Sequence, residues 1–321
     1  MIVAELSASH NQSLEHAMAL VRAAADAGAD GIKLQTWTPD TIAVDRVIQG
    51  GPWAGKSMVD LYRQAHTPWE WHKPLFDYAK SLGIEAFSSV FDLDALDFLE
   101  AIGCTRYKIA SFEVTDLELI THASETGKPV VISTGMATLD EIWSAVRACR
   151  TAPTLLKCVS AYPADASDAN LATMLDMRRF GCDVGLSDHT IGSTAAVAAT
   201  VLGAVMVEKH LTLRRADGLD DGFASEPHEF AHMVNECRAA RATLGHVTYG
   251  PIEAELPSLR LRRSLWLAKD VAAGRPITRD DLRIARPADG MSPSALSRIL
   301  GKHFTRDAAR DTPLTPDLIG A

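Results

Sequence analysis

Two histidines end successive hydrophobic runs that we predict to be neighbouring parallel strands. His189 closes the run 184–189, and His210 lies near the end of the run 204–211. Because side chains alternate along a strand, both imidazoles can face one interior, where they could ligate a divalent metal and leave positions open for water and substrate. A single histidine here is more often a hydrogen-bonded core residue, so the metal hypothesis depends on the pair.

Two lysines occupy similar positions on earlier runs. Lys33 and Lys108 lie near the ends of the second and fourth predicted strands. Four serines that can donate hydrogen bonds lie nearby: Ser89, Ser111, Ser160 and Ser187. A lone lysine at a strand end is commonly a solvated side chain, but two lysines with serine donors predict a pocket for phosphate and carboxylate groups.

Carboxylates complete this set of polar residues. Glu5 and Glu113 are the best placed for acid–base catalysis, although salt bridges to the two lysines explain them equally well. Asp188 and Glu208 could orient the imidazoles, but the position of Asp188 in its strand puts it on the opposite face.

A covalent mechanism through Lys157 is an alternative. This residue lies on the sixth predicted strand, where a lysine could form a Schiff base with a carbonyl substrate, as in some barrel aldolases. If Ser160 faces the interior, Lys157 faces the other way, which weakens the aldolase hypothesis.

The elements that must position these residues alternate regularly up to about Gly245. Short β-branched runs predict strands at 2–6, 31–36, 85–90, 106–110, 130–134, 155–160, 184–189 and 204–211, and a helical pattern follows each. Eight β/α units predict an α/β fold closed into a (β/α)₈ TIM barrel, with a doubly wound open sheet as the alternative. Polar residues near the strand ends would then form a ring at the barrel mouth: Glu5, Lys33, Gln35, Ser88, Lys108, Thr134, Ser160, His189 and His210.

The pattern changes after the barrel. We predict a catalytic barrel domain at 1–246, a linker at 247–262 and a small β-rich module at 263–321, where short runs and Gly/Pro turns replace the alternation. The stretch Thr38–His66, between the second strand and its helix, is predicted to be a long loop that acts as a lid.

Composition narrows the class of protein. The chain has 321 residues and a formal net charge of −9, which argues against nucleic acid as a partner. Its five cysteines are scattered, no apolar stretch is long enough for a membrane span, and the start lacks a signal-peptide pattern. We therefore expect a cytoplasmic enzyme with no membrane partner.

Several motifs are spread over almost the whole chain: AELSASHN (4–11), KLQT (33–36), TPWEWHK (67–73), KIASFE (108–113), STGMAT (133–138), SAYP (160–163), GLSDHT (185–190) and EKHLT (208–212). They resemble the sialic acid synthase family, and Phe112 and the TPWEWHK segment favour its pseudaminic acid synthase branch. The tail, with RRSL (262–265) and ARP (285–287), resembles the antifreeze-like (SAF) domain that ends these synthases.

The resemblance implies that phosphoenolpyruvate, 2,4-diacetamido-2,4,6-trideoxy-L-altrose and water give pseudaminic acid and phosphate. N-acetylneuraminate or legionaminic acid synthesis is the alternative within the family. By the same resemblance, His189 and His210 hold Mn²⁺, with Mg²⁺ or Co²⁺ as alternatives, and act with Glu5 and Glu113 in catalysis. The implied phosphoenolpyruvate-binding residues are Lys33, Ser89, Lys108, Ser111, Ser160 and Ser187, and the implied sugar-binding residues are Gln35, Tyr162, Asp220 and Arg286.

The chain departs from the family pattern in places. Ser9 and Ser89 replace Asn and Thr but keep a hydrogen-bonding side chain, and the stretch 217–226 around Asp220 matches loosely. Family members usually carry an extension before the first strand, so a start at that strand predicts a less closed barrel base.

Arg286 matches an arginine that reaches into the partner's barrel, which implies a domain-swapped homodimer. A binding protein whose C-terminal module recognises ice or a polysaccharide is the rival from another class. That interpretation leaves the inward lysines and histidines without a purpose.

Overall fold

The computed structural model describes residues 1–50, 53–215 and 218–320. Asp217, the first residue of the loosely matched stretch, lies outside them. The chain divides into two compact units, Met1–Gly245 and His246–Ala321. None of the described helices is long and apolar enough to cross a membrane.

The first unit is a closed barrel of eight parallel strands in sequential order. The strands are β1 (Ile2–Glu5), β2 (Gly31–Thr36), β3 (Glu85–Val90), β4 (Tyr107–Ile109), β5 (Val130–Ser133), β6 (Thr154–Cys158), β7 (Asp183–Asp188) and β8 (Val207–His210). Pairing of β1 with β8 closes the barrel, which confirms the predicted TIM barrel and excludes the open sheet. The strands are buried on both faces because helices surround them, as expected for a parallel barrel.

Helices connect successive strands. They are α1 (Leu14–Asp26), α2 (Pro39–Ile42), α3 (Met58–Ala65), α4 (Trp69–Ser81), α5 (Leu93–Ala101), α6 (Leu117–Glu125), α7 (Leu139–Ala148), α8 (Ala172–Asp176), α9 (Thr194–Val201) and α10 (Pro227–Leu244). Local signals explain their bounds: the Ser13 hydroxyl caps α1, and Thr138 with Glu141 forms a capping box at α7. The helical pattern expected after the sixth strand is instead the short α8 followed by a 3₁₀ turn, Met177–Phe180.

The register of the strands decides which side chains face the barrel interior. Glu5 is level with Lys33 on β2 and with His210 on β8. Ser89 is level with Gln35 and with Lys108. Most of the predicted polar residues therefore face the same interior near the carboxyl ends of the strands.

Two members of the predicted polar ring were wrong by one residue. On β3 it is Ser89 that bonds to the inward Lys33, whereas Ser88 bonds to Thr36. Thr36 in turn contacts His72 of the outer helix α4 at 2.8 Å. Because alternation has a period of two, an error of one residue moves a side chain to the other face.

On β5 the inward hydroxyl belongs to Ser133, which is level with Leu156. The Thr134 hydroxyl instead donates to the Leu156 carbonyl at 3.1 Å. The Thr134 side chain thus bonds to the backbone of β6 at the end of β5 and does not face the barrel interior.

The stretch 38–66 is more ordered than the loop that we predicted. It contains α2 and α3, and Val47 pairs with Ser57 in an isolated antiparallel bridge. The Ser57 hydroxyl accepts from the Asp60 amide and starts α3. We call this stretch, in its described residues, the lid segment.

The second unit is built around a two-stranded antiparallel sheet of β9 (Ser264–Leu267) and β10 (Leu282–Ala285). Short 3₁₀ turns and a short helix α11 (Leu296–Ile299) surround it, and a 3₁₀ helix, Glu253–Leu261, precedes it. Its core consists of buried apolar side chains that include Leu265, Ile277, Phe304 and Leu314. Isolated bridges such as Val271–Ala308 and Pro276–His303 add further β pairing between its loops. The unit is thus small, loop-rich and held by β pairing, as predicted.

Candidate active site

Lys33 occupies the centre of the barrel mouth. Its ammonium forms an ion pair with Glu5, donates to the Ser89 hydroxyl at 2.7 Å and lies 3.8 Å from Glu208. Burial alone would lower the pKa of Lys33, but Glu208 and Glu5 raise it above its ordinary value. Lys33 therefore stays charged and connects β2 to three other strands, β1, β3 and β8.

Lys108 is the second buried cation and is only 1% exposed. Its ammonium donates to the Ile109 carbonyl at 3.0 Å, and it has no ion pair among the described residues. Burial lowers the pKa of Lys108, against the opposing attraction of Glu208. Since a buried charge without an ionic partner is costly, Lys108 is suited to bind an anion.

Glu208 lies between these cations. Burial alone would raise the pKa of Glu208, but Lys108 and Lys33 lower it, so the carboxylate is ionised. It accepts from Ser187 at 3.3 Å. Glu208 thus balances the charge of the lysines and makes no hydrogen bond to an imidazole among the described residues, so its predicted role in orienting one is wrong.

Ser111 and Ser160 converge on Gly135. The Gly135 amide donates to the Ser111 hydroxyl at 3.0 Å. A Cβ on Gly135 would lie 2.2 Å from Ser160 Oγ and 2.7 Å from Ser111 Oγ. A side chain here would displace both hydroxyls, so glycine preserves a cradle lined by the two hydroxyl groups. Sequence reasoning missed Gly135, although the STGMAT motif contained it.

The two imidazoles lie side by side at the ends of the neighbouring strands β7 and β8, with ring centroids 5.4 Å apart. His189 Nδ1 is 2.8 Å from the Val159 carbonyl, so Nδ1 carries the proton and Nε2 keeps its lone pair. Burial lowers the pKa of His210 well below its ordinary value, and its buried Nδ1 has no hydrogen-bond partner among the described residues. Each ring thus has a nitrogen that can ligate a divalent metal.

The described residues contain no group of three or more His, Cys, Asp or Glu side chains that could hold a metal ion. Two imidazoles are therefore the protein ligands that this site offers. Such a pair fits a divalent ion whose remaining positions are filled by water or substrate.

Asp188 lies on the outer face of the barrel, as its strand position indicated. It pairs with the buried Lys209 at 2.7 Å and accepts from the amide and hydroxyl of Thr190. The prediction that Asp188 orients an imidazole is thus wrong. The Val159 carbonyl oxygen orients His189 instead. Lys209 was not among the predicted site residues.

A cavity of roughly 320 Å³ opens beside His210. Its polar lining residues are Ser7, Gln35, Glu113, Tyr162, His210 and Asp220. Apolar and aromatic residues of the lid segment cover it: Ile42, Ile48, Trp53, Met58, Leu61 and Tyr62. Trp53 lies 6.2 Å from the Tyr162 ring, between ring centroids. The cavity combines a few acceptors with a broad apolar wall, as small-molecule sites commonly do.

Glu113 follows β4 and lines this cavity. Burial raises the pKa of Glu113 to about 7, against the attraction of Lys108. Its buried Oε2 has no hydrogen-bond partner among the described residues. Glu113 can therefore gain and lose a proton near neutral pH, whereas Glu5 is held by Lys33 and by Gln35 at 2.9 Å.

Arg286 directly follows β10 in the second unit, and its side chain is exposed. Its implied reach into a partner's barrel stays a prediction.

Comparisons with known proteins agree with this geometry. Residues 20–249 match the NeuB family model, and residues 262–320 match the SAF domain. The chain is 40% identical to the pseudaminic acid synthase of Helicobacter pylori, over 98% of this chain and 96% of that protein. It is 34% identical to the N,N'-diacetyllegionaminic acid synthase of Legionella pneumophila, over 98% and 92% of the two chains.

Among solved structures, the N-acetylneuraminic acid synthetase of Leptospira borgpetersenii, determined with citrate, aligns with a TM-score of 0.72 and 31% identity. The alignment covers 80% of this chain and 89% of that one. The family model spans most of the barrel, and the curated relatives match the chain almost from end to end. The chain belongs to the NeuB family.

Proposed function

We propose that this chain is a pseudaminic acid synthase that condenses phosphoenolpyruvate with 2,4-diacetamido-2,4,6-trideoxy-L-altrose and water, giving pseudaminic acid and phosphate. The observation that carries this proposal is the 40% identity with a pseudaminic acid synthase over nearly the full length of both chains. A transferase that forms a carbon–carbon bond also accounts for the buried cations and hydroxyl groups at the barrel mouth.

Phosphoenolpyruvate would bind at the floor of the site. Lys33 and Lys108 would neutralise its negative charges, and Lys108 has the stronger need for an anion because no described ion pair serves it. Hydroxyl donors surround these cations and would hold the phosphate and carboxylate oxygens: Ser89, Ser111, Ser160 and Ser187.

The sugar would bind in the cavity under the lid segment. Its two acetamido methyl groups and its C6 methyl group suit the apolar wall, and Gln35, Tyr162 and Asp220 would contact its polar groups. A sugar with more hydroxyl groups would leave these without partners against the wall.

In the reaction, C3 of phosphoenolpyruvate forms a bond to C1 of the open-chain sugar, and the aldehyde oxygen becomes a hydroxyl. Water adds to C2, and breakage of the C2–O bond then releases inorganic phosphate and leaves the C2 carbonyl. A divalent metal on His189 and His210 would polarise the aldehyde as a Lewis acid. Glu113 would accept the proton of the attacking water, and Glu5 would hold Lys33 in place.

Two alternatives remain testable. The 34% identity with a legionaminic acid synthase supports that sugar product as the second candidate. A Schiff-base aldolase is less well supported because Lys157 donates to the Cys158 carbonyl and does not line the sugar cavity. We further propose a cytoplasmic, domain-swapped homodimer in which the SAF domain contributes Arg286 to a partner's barrel.

The test is phosphate release from phosphoenolpyruvate with the trideoxy-altrose and with other acetamido-sugars, including N-acetylmannosamine. We expect strong preference for the trideoxy-altrose, loss of activity with a chelator and recovery on adding Mn²⁺, Mg²⁺ or Co²⁺. His189→Ala should not recover with metal. Equal turnover of N-acetylmannosamine would refute the sugar assignment. Chelator-resistant activity with a borohydride-trapped lysine would favour the aldolase.

A further inference from the structure

Ser7 begins the turn that follows β1, two residues after Glu5. It connects two site carboxylates that are distant in sequence. Its amide donates to Glu5 Oε1 at 2.9 Å, and its hydroxyl donates to Asp220 Oδ2. The same hydroxyl accepts from Gln35 Nε2 at 3.1 Å. Ser7 is buried and lines the sugar cavity. Both of its donors, the amide and the hydroxyl, donate to site carboxylates.

The backbone of Ser7 is strained. Its φ angle is +37°, in the left-handed region that residues other than glycine rarely adopt. Glycine would adopt this conformation at lower cost, but it has no hydroxyl. Strain of this kind persists where the surrounding contacts require it, and it often accompanies function.

The hydrogen bonds to Asp220 are one-sided. The Ser7 hydroxyl and the Ala8 amide both donate to Oδ2, the latter at 3.2 Å. Oδ1 is then the oxygen that Asp220 can offer to a hydroxyl or amide N–H of the sugar. Burial raises the pKa of Asp220, and the Ser7 hydrogen bond opposes that rise and favours the acceptor form.

We propose that Ser7 is a positioning residue for sugar recognition: its hydroxyl holds Asp220 so that Oδ1 faces the sugar. This inference rests on the proposed function. It assigns to Ser7 an effect on the sugar and none on phosphoenolpyruvate, because Ser7 contacts the cavity side of the site.

The experiment compares Ser7→Gly with Ser7→Ala. Both variants lose the hydroxyl, but only glycine relieves the positive φ, so Ser7→Gly should have the higher Tm of the two. We expect both to lose roughly 10- to 100-fold in kcat/KM for the sugar, the usual effect of losing a hydrogen bond to a charged group. The KM for phosphoenolpyruvate should change little. Activity would thus follow the hydroxyl and not the stability.

A double-mutant cycle with Asp220→Asn tests whether Ser7 acts through Asp220. In that background Ser7→Ala should cost much less than it does in the wild type, because the carboxylate it holds is already gone. Wild-type-like sugar kinetics for Ser7→Gly, or full additivity in the cycle, would overturn the proposal. Failure of the wild-type chain to turn over any acetamido-sugar would instead overturn the proposed function, so the two failures are distinct.

Discussion

At the barrel mouth, charged side chains lie where little water reaches them. Lys33, Lys108 and Glu208 are all buried, and each buried charge costs several kcal/mol in lost hydration, to order of magnitude, unless partners replace the water. Their mutual attraction offsets part of this cost. The remainder is a reason to expect an anionic substrate, whose binding would complete the set of charges.

Glu113 should govern the pH dependence of activity. Because its pKa is raised to about 7 by burial, the deprotonated base forms as pH rises, and kcat/KM should increase through about pH 7. Glu113→Gln should lose most activity and this rise. A pH–rate profile of wild type and variant is the measurement, and an unchanged rise in the variant would assign it to another group.

The same shift has a consequence for stability. A carboxyl whose folded pKa is raised stabilises the fold at low pH, and that contribution is lost as pH rises from the ordinary value of 4.5 to about 7. The glutamine in Glu113→Gln cannot ionise. The free energy of unfolding of the variant minus that of the wild type should therefore be larger at pH 8 than at pH 5. Urea denaturation at both pH values measures this difference.

Substitution of Gly135 should weaken the binding of phosphoenolpyruvate and leave the binding of the sugar unchanged. In Gly135→Ala the new methyl group would displace the Ser160 and Ser111 hydroxyls, and we expect the KM for phosphoenolpyruvate to rise roughly tenfold or more. Gly222→Ala is the matched control, because a Cβ there meets no atom within 4 Å. An equal rise in the KM values for phosphoenolpyruvate and for the sugar, or no rise in either, would contradict this role of Gly135.

At the scale of elements, the loop between β1 and α1 connects the barrel to the lid segment. Gln12 Nε2 donates to the carbonyls of Gln64 at 2.9 Å and His66 at 2.7 Å, at the end of the lid segment. The same loop contains Ser7 and has positive φ at Ser7, Asn11 and Gln12. One strained loop therefore positions a site carboxylate and also the cover of the sugar cavity.

Gln12→Ala should loosen the lid segment without unfolding the barrel, because the side chain is exposed and its bonds to the described part of the lid are these two. We expect faster hydrogen exchange at 57–66, a higher KM for the sugar and a Tm close to that of the wild type. The control is Gln49→Ala, whose side chain donates to the Val47 carbonyl within the segment and has no other hydrogen bond among the described residues. Wild-type exchange in Gln12→Ala would contradict this role.

At the scale of the whole molecule, each unit has its own hydrophobic core. The barrel core is extensive, whereas the core of the second unit consists of ten buried apolar residues. A core this small often needs support from another surface. Arg286, outside the barrel unit, is the sequence-predicted site residue whose role depends on assembly.

Subunit mixing tests that assembly. Arg286→Ala and His189→Ala should each be inactive alone. If the SAF domain completes a partner's site, random exchange of subunits should restore roughly a quarter of the wild-type sites, since one site in each mixed dimer is intact. No recovery after confirmed exchange would show that Arg286 does not act in a partner's barrel.

The sequence by itself determined the eight β/α units, because alternating strand and helix periods and capping residues are local signals. It also placed polar residues at the strand ends, and Lys33, Ser89, Glu5 and Gln35 lie in contact there. The helices within 38–66 were missed, since helices of four and eight residues leave little periodicity to detect.

Only the tertiary structure decided which of two adjacent residues faces inward, as Ser88 and Thr134 show, because a shift of one residue reverses a strand's faces. It alone revealed that Glu5 is held by Lys33 while Glu113 has an unpartnered, buried oxygen. It also revealed Gly135 and Ser7, whose roles depend on distances and a φ angle. Ion-pair partners and backbone strain arise from segments far apart in the chain, so no local pattern encodes them.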